Sequence, residues 1–272
     1  MADINSDGQK EIIIADNTNI YVFDVAGNEL WRFRTYDEGT SYWLYCMATG
    51  SLNDEGGRAV IAGFDPGLWV LNSDGEVLWT YLRPLPEEEK TEENRRQKYD
   101  RLLPYSLATA DLDGDGYDEI VAVTGKGYLC CWKGDGELLW QVEPPKRSGE
   151  MMNRSWGRAR LVRCEDINDD GVPEIISAIS GLAVHDASGS ELWGVASKGH
   201  VIDIATGDVN GDGLPEIVIA SEEVEVFSNT GEKIFGYTDV GRMERVALGD
   251  VDGDGIDEII AGGAGVYLMK MS

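Results

Sequence analysis

Two histidines, His185 and His200, in 272 residues leave no imidazole cluster to hold a zinc ion or to serve a hydrolytic triad. The motifs that would carry such chemistry (Gly-x-Ser-x-Gly, His-Glu-x-x-His, a phosphate-binding P-loop) do not occur. Four cysteines, Cys46, Cys130, Cys131 and Cys164, show no Cys-x-x-Cys spacing. Adjacent Cys130 and Cys131 on one strand point to opposite faces, so buried free thiols are expected rather than a disulfide framework. No run of 18 apolar residues is present, and no segment reads as a membrane-spanning helix. Basic residues are scarce: 23 Lys and Arg against 50 Asp and Glu give a formal charge of −27. Such a surface repels a phosphate backbone, which argues against nucleic acid as a partner. Met1-Ala2-Asp3 leads directly into the first acidic motif, without the basic and apolar regions of a signal peptide.

What the chain has in abundance is aspartate and glycine, and both recur in one pattern. Nine-residue stretches beginning at Asp3, Asp111, Asp166, Asp208 and Asp250 alternate Asp or Asn with small residues and end in Glu11, Glu119, Glu174, Glu216 and Glu258. A sixth copy, Ser51 to Ala59, is degenerate. The starts at 3, 51, 111, 166, 208 and 250 give a basic period of about 42 residues, with insertions in the early copies. Each loop runs into a β-branched stretch such as Ile12-Ile13-Ile14 or Ile120-Val121-Ala122-Val123. A second short strand, a Gly turn and a further strand ending in Leu-Trp follow, and another strand precedes the loop. Four short antiparallel strands per repeat predict an all-β fold, a single β-propeller over 1–272 with about six blades. The loops fall between the first and second strand of each blade.

At positions 1, 3, 5 and 9 the loops place Asp3, Asn5, Asp7 and Glu11; Asp111, Asp113, Asp115 and Glu119; Asp166, Asn168, Asp170 and Glu174; Asp208, Asn210, Asp212 and Glu216; Asp250, Asp252, Asp254 and Glu258. Hard cations need six to eight oxygens, which alternating carboxylates and amides around a tight turn supply. The position-7 residues Gln9, Tyr117, Val172, Leu214 and Ile256 are expected to add a backbone carbonyl. An EF-hand requires Glu at position 12, where these loops carry Ile14, Ala122, Ser177, Ile219 and Ala261. Turn chemistry alone would explain one Asp-Gly loop, but five that keep every oxygen position point to calcium, about five ions in all. The Ser51 copy lacks the carboxylates and is expected to bind none.

The Asp-x-Asp-Gly-Asp-Gly-x-x-Glu loops resemble the FG-GAP/VCBS repeat of integrin α-type propellers. The Gly-x-x-Leu-Trp strand is similar to the repeat of quinoprotein-type propellers. The resemblance covers nearly the whole chain outside the insertions 83–103 and 144–158. It implies calcium-stiffened blades, closed as six or cut from a larger propeller, and leaves the activity open because propellers host many functions.

Trp31, Trp79, Trp140 and Trp193 share one repeat position, with Phe235 in the fifth copy, and are expected to wedge between blades. Trp69, Trp132 and His185 fall at positions that read as core. Eight residues before each loop stand Trp43, Leu103, Arg158, His200 and Arg242. They begin the innermost strands and are expected to ring one channel mouth away from the calcium loops, with Tyr105 and Trp156 nearby. The insertion 83–103 reads as a surface helix, and 144–158 as a basic segment suited to an anionic ligand. The expected function is a non-catalytic binding or scaffold module for a glycan or protein at that mouth, as a monomer or part of a larger chain. The alternative is a pectin-lyase-like enzyme in which calcium binds the uronate and Arg158 or Arg242 removes a proton; a cofactor-bound quinoprotein is the third reading. Calcium loops of this type suit an extracellular, cell-surface or periplasmic setting.

Overall fold

The computed structural model describes the chain except for residues 38–39, 42, 55–56, 65–66, 83–103, 126, 144–159, 180, 198, 239–241 and 272. Both long insertions, and with them Trp156, Arg158 and Leu103, therefore lie outside the described residues. No helix occurs among the described residues, and the strands fall into two compact units, Met1–Val142 and Glu143–Ser272.

Each unit carries three antiparallel blades in which sequential strands are spatial neighbours. In the first unit these are Ile12–Ala15, Asn19–Phe23 and Glu29–Arg34; then Leu44–Gly50, Ala59–Phe64, Gly67–Leu71 and Val77–Tyr81; then Pro104–Ala110, Glu119–Thr124, Leu129–Trp132 and Leu138–Val142. The second unit repeats the plan with Leu161–Glu165, Glu174–Ala178, Leu182–His185 and Glu191–Val195; then Asp203–Gly207, Glu216–Ala220, Val224–Phe227 and Lys233–Tyr237; then Met243–Gly249, Glu258–Gly263 and Val266–Met269. A small two-stranded ribbon, Tyr36–Asp37 with Thr40–Ser41, stands apart. The acidic loops at 111, 166, 208 and 250 join the first and second strands of their blades, as the repeat predicts, while the loop at 3 leads into Ile12–Ala15 of a three-stranded sheet.

The second and third strands of the four-stranded blades are buried on both faces, as in Glu119–Thr124 and Leu129–Trp132, which is why they read as continuous β-branched runs. Their side chains fill the seams between consecutive blades. One cluster joins Ile4, Ile20 and Val22 of the first blade to Val60, Ala62 and Leu71 of the second. Another joins Leu52, Ile61 and Val70 to Ile120, Ala122 and Trp132. In the second unit, Ile167 and Ile176 meet Ile217 and Phe227, and Val209 and Val218 meet Ile259 and Ala261. At loop position 2, Ile4, Leu52, Ile167 and Val209 thus anchor their loops in the seam with the following blade.

The Leu-Trp dipeptide gains a geometric reason. Where the third and fourth strands pair, a bulge recurs at the same place in all five blades that have both strands. Cys131 faces Trp140 while Trp132 faces Leu138, which leaves Leu139 as the extra residue. Leu30, Leu78, Leu139 and Leu192 take this bulged position and are exposed. The bulge turns the next residue, tryptophan, onto the neighbouring blade. Trp31, Trp79 and Trp193 donate their indole N–H to the carbonyls of Ser73, Gly134 and Asn229 at 2.7, 2.8 and 2.8 Å. Each ring lies on a turn glycine of that blade with φ above 80°: a Cβ on Gly75 would sit 2.7 Å from Trp31, and one on Gly231 2.6 Å from Trp193. Both the left-handed backbone and the close ring require glycine there.

The remaining core expectations also hold. Trp132 is fully buried, and Trp69 stacks on Phe64 with ring centroids 3.8 Å apart. His185 is buried with Nε2 3.0 Å from Ser177 Oγ. All four cysteines are free thiols, and burial pushes Cys46 up to about 12.

Truncating the wedge tests its weight. Trp79→Ala should cost about 3 kcal/mol, combining the lost packing and the orphaned carbonyl, while Trp79→Phe should cost only about 1 kcal/mol for the hydrogen bond. Denaturant melts of the two variants check this, and an unchanged midpoint for Trp79→Ala would remove the wedge from the account.

Candidate metal centre

The five acidic loops close by the same four devices. The position-9 glutamate, buried at the start of the second strand, turns one oxygen back to accept the N–H of position 2. Ile4, Leu112, Ile167, Val209 and Val251 donate to Oε2 of Glu11, Glu119, Glu174, Glu216 and Glu258 at 2.9, 2.9, 3.1, 3.1 and 2.8 Å. The position-1 aspartate accepts the N–H of the position-6 glycine, from Gly8 to Asp3 at 3.0 Å through Gly255 to Asp250 at 3.0 Å. The position-5 aspartate accepts the N–H of position 7, as Gln9 to Asp7 and Tyr117 to Asp115. Finally, the chain takes a left-handed turn at two residues rather than one. Besides the position-6 glycine, position 4 has positive φ in every loop: Gly114, Gly211 and Gly253, but also Ser6 at 62° and Asp169 at 61°. That second turn is written in the sequence as Gly in three loops and is masked by Ser and Asp in the other two.

These bonds bring the aspartates of positions 1, 3 and 5 together in the two loops that carry all three. Ligand oxygens of Asp111, Asp113 and Asp115 lie within 4.8 Å of one another, and so do those of Asp250, Asp252 and Asp254. In the other three loops the position-3 residue is Asn5, Asn168 or Asn210, so only two of these three positions carry a carboxylate. A hard divalent cation fits this donor set, which is all oxygen and strongly anionic. An independent sign is Asp3 Oδ1, which is buried and accepts no hydrogen bond. A buried carboxylate oxygen without a partner is costly, and a bound cation would relieve it.

Electrostatics vary from loop to loop. Burial, reinforced by neighbouring aspartates, pushes the carboxyls of Glu119 and Glu174 above their usual range and that of Glu216 up to about 7. Glu258 goes the other way because Lys270 lies against it. Lys270 Nζ stands 2.7, 2.6 and 2.9 Å from Asp252 Oδ2, Asp254 Oδ2 and Glu258 Oε1. Lys133 Nζ stands 3.5 and 3.2 Å from Asp113 and Asp115.

The lapsed second copy is held without carboxylates of its own at positions 1 and 9. Ser51 N–H donates to Asp118 Oδ2 of the next loop at 2.8 Å, Asp118 N–H returns to Ser51 O, and Arg58 lies 3.4 Å from Asp118. Ala59 is buried where the other loops have glutamate.

The channel-mouth candidates divide. In the first unit Trp43 is 57% exposed beside a cleft lined by Asp16, Asn17 and Thr18. Tyr45, which follows it, and Tyr105 have ring centroids 5.6 Å apart. In the second unit His200 and Arg242 are exposed, each just before the first strand of its blade. Trp156 and Arg158 lie outside the described residues.

With this geometry in hand, comparison with known proteins is decisive for the repeat. An FG-GAP repeat model matches residues 103–130, and an FG-GAP-like repeat model matches 208–261. Both stretches carry the FG-GAP repeat pattern. No curated protein matches it in sequence. Among solved structures, BBS1N in complex with ARL6DN superposes with a TM-score of 0.67 at 14% identity, covering all of this chain and 77% of that one. Sqt1 of Saccharomyces cerevisiae gives 0.67 at 12% identity over 95% of this chain and 68% of its own. BamB of Moraxella catarrhalis gives 0.56 at 15%, over 96% and 70%. At these identities the likeness speaks for the fold: the FG-GAP blades are those of a β-propeller.

The raised Glu216 sets a pH test. Its folded value lies above the usual 4.5, so its stabilising contribution is complete below that value and is lost as pH climbs through about 7. Cation binding needs the carboxylate and runs oppositely. The melting temperature in calcium should therefore pull away from that in EDTA between about pH 5 and about pH 8. A gap that does not change with pH, or no gap at all, would contradict the metal centre.

Proposed function

We propose that this chain is a non-catalytic, calcium-stabilised binding or scaffold module that presents exposed aromatic side chains to a protein or glycan. The observation that carries the reading is the Trp43, Tyr45 and Tyr105 group. Trp43 and Tyr45 are exposed and Tyr105 is half-buried against Tyr45; large rings left in water at the edge of a frame whose seams are otherwise packed are the residues that anchor interfaces and stack on sugars. Trp43 and Tyr45 flank the start of one first strand, and Tyr105 stands on the first strand of the next blade, so the frame fixes their spacing.

The FG-GAP propeller fold favours binding, and the BBS1N structure, solved with ARL6DN, is a propeller of this shape holding a protein partner. A protein ligand is accordingly the first partner to seek, with glycan second. Calcium, at about five loops, would supply charge neutralisation and stiffness rather than chemistry. Loops with three or four carboxylates each suit the millimolar calcium outside cells, and this supports an extracellular, surface or periplasmic site.

The test is a pull-down from an extracellular fraction together with a glycan array, repeated with Trp43→Ala and Tyr105→Ala. Each truncation should weaken binding by about tenfold or more, roughly the 1–2 kcal/mol of an exposed aromatic anchor, and leave the melting temperature near that of the parent. Retained binding in both variants would move the ligand site elsewhere. Turnover of a pectic substrate to an unsaturated product would replace the module by the lyase alternative.

A further inference from the structure

Lys133 and Lys270 occupy one repeat position, the residue just after the third strand of a blade (Leu129–Trp132 and Val266–Met269). The same position holds Asp24, Asp186 and Ser228 in the first, fourth and fifth blades. Lysine thus stands where loop position 3 is aspartate, Asp113 or Asp252, and nowhere that it is asparagine. At loop positions 1, 3, 5 and 9 the pairing levels the charge: four carboxylates with one ammonium carry the same net −3 as three carboxylates with asparagine.

The two kinds of loop also bridge the same acidic atoms with different groups. Asn210 Nδ2 lies 3.0 Å from Asp212 Oδ2 and 2.8 Å from Glu216 Oε1, and Asn168 Nδ2 lies 2.7 Å from Glu174 Oε1. In the last blade, Lys270 Nζ takes that place between Asp254 Oδ2 and Glu258 Oε1 and reaches Asp252 as well. These are the oxygens a cation would coordinate. To admit one, an asparagine need only rotate its amide, which then offers Oδ1 as a ligand. A lysine must withdraw a whole ammonium from its ion pairs.

We propose that Lys133 and Lys270 are tethered counter-cations that fill the loops at 111 and 250 in the absence of metal, so that calcium enters these two loops only by displacing them. The proposal rests on the calcium reading above and deepens it. The five intact loops then form two classes: three asparagine loops that bind more tightly, and two lysine-plugged loops that bind more weakly but stay ordered when calcium is low. Displacement and binding are linked, so the ammonium lowers calcium affinity by the same factor as calcium lowers that of the ammonium.

Calorimetric titration of the full chain with calcium tests this, using the parent, Lys133→Gln/Lys270→Gln, and the converse Ser228→Lys. The parent should show tight and weak sites. The double variant should convert the weak class to tighter binding by about 5- to 150-fold, the usual range of such couplings, and should melt at lower temperature than the parent in EDTA but not in calcium. Ser228→Lys, which brings an ammonium to the Asp212 and Glu216 loop, should weaken one tight site. If the double variant does not fold without metal, purification in calcium followed by competition with a fluorescent chelator gives the same constants, and Ser228→Lys stands independently. Parent and variants binding with indistinguishable affinities would overturn the plug while leaving the calcium loops intact. A parent that binds no calcium would overturn both.

Discussion

A carboxylate at the first residue of a buried strand must find a donor, and in five blades of this chain it finds the same one. The position-9 glutamate reaches back seven residues to the N–H of position 2 and closes the loop into a ring. Almost everything else depends on that bond. It buries the position-2 side chain in the seam with the following blade at Ile4, Ile167 and Val209. The intervening residues pass through two left-handed turns, and in the loops at 111 and 250 the aspartates of positions 1, 3 and 5 come close together. The candidate metal centre is therefore a by-product of how the first strand is joined to the second. The Ser51 copy lacks the glutamate and is tied instead to the next loop, where Asp118 accepts the Ser51 N–H and pairs with Arg58.

The seams between blades use a second bond of similar economy. A bulge exposes a leucine and sends the following tryptophan across to a glycine turn, where its N–H finds a carbonyl. Indole area, hydrogen bond and glycine conformation are satisfied together; a phenylalanine at the wedge keeps the packing and loses the hydrogen bond. A sequence in which the turn, the bulge and the wedge all agree has few competing packings.

The blade count, the loop position between first and second strands, and the wedge role of Trp31, Trp79 and Trp193 were legible because each depends on spacing within one repeat. His185 and Trp132 were legible for the same reason, since their repeat positions elsewhere hold aromatics. The left-handed fourth loop position was hidden by Ser6 and Asp169, which tolerate that backbone without announcing it as glycine does. Lys133 and Lys270 were missed because their partners lie 20 and 18 residues back, joined by strand pairing rather than by a local motif. The Tyr45–Tyr105 contact was likewise invisible as a pair, since it joins two blades 60 residues apart.

The tryptophan contacts all point the same way along the chain: the outermost strand of a blade donates into its successor. Coupling of this kind is directional and nearest-neighbour, so stability accumulates as a series of repeat terms and seam terms rather than as one indivisible core. A lesion in one wedge slackens the boundary ahead of it and spares the boundary behind. Partial opening should then proceed seam by seam, releasing entire repeats as cooperative units, and an evolving gene could splice or lose such repeats without redesigning those that remain.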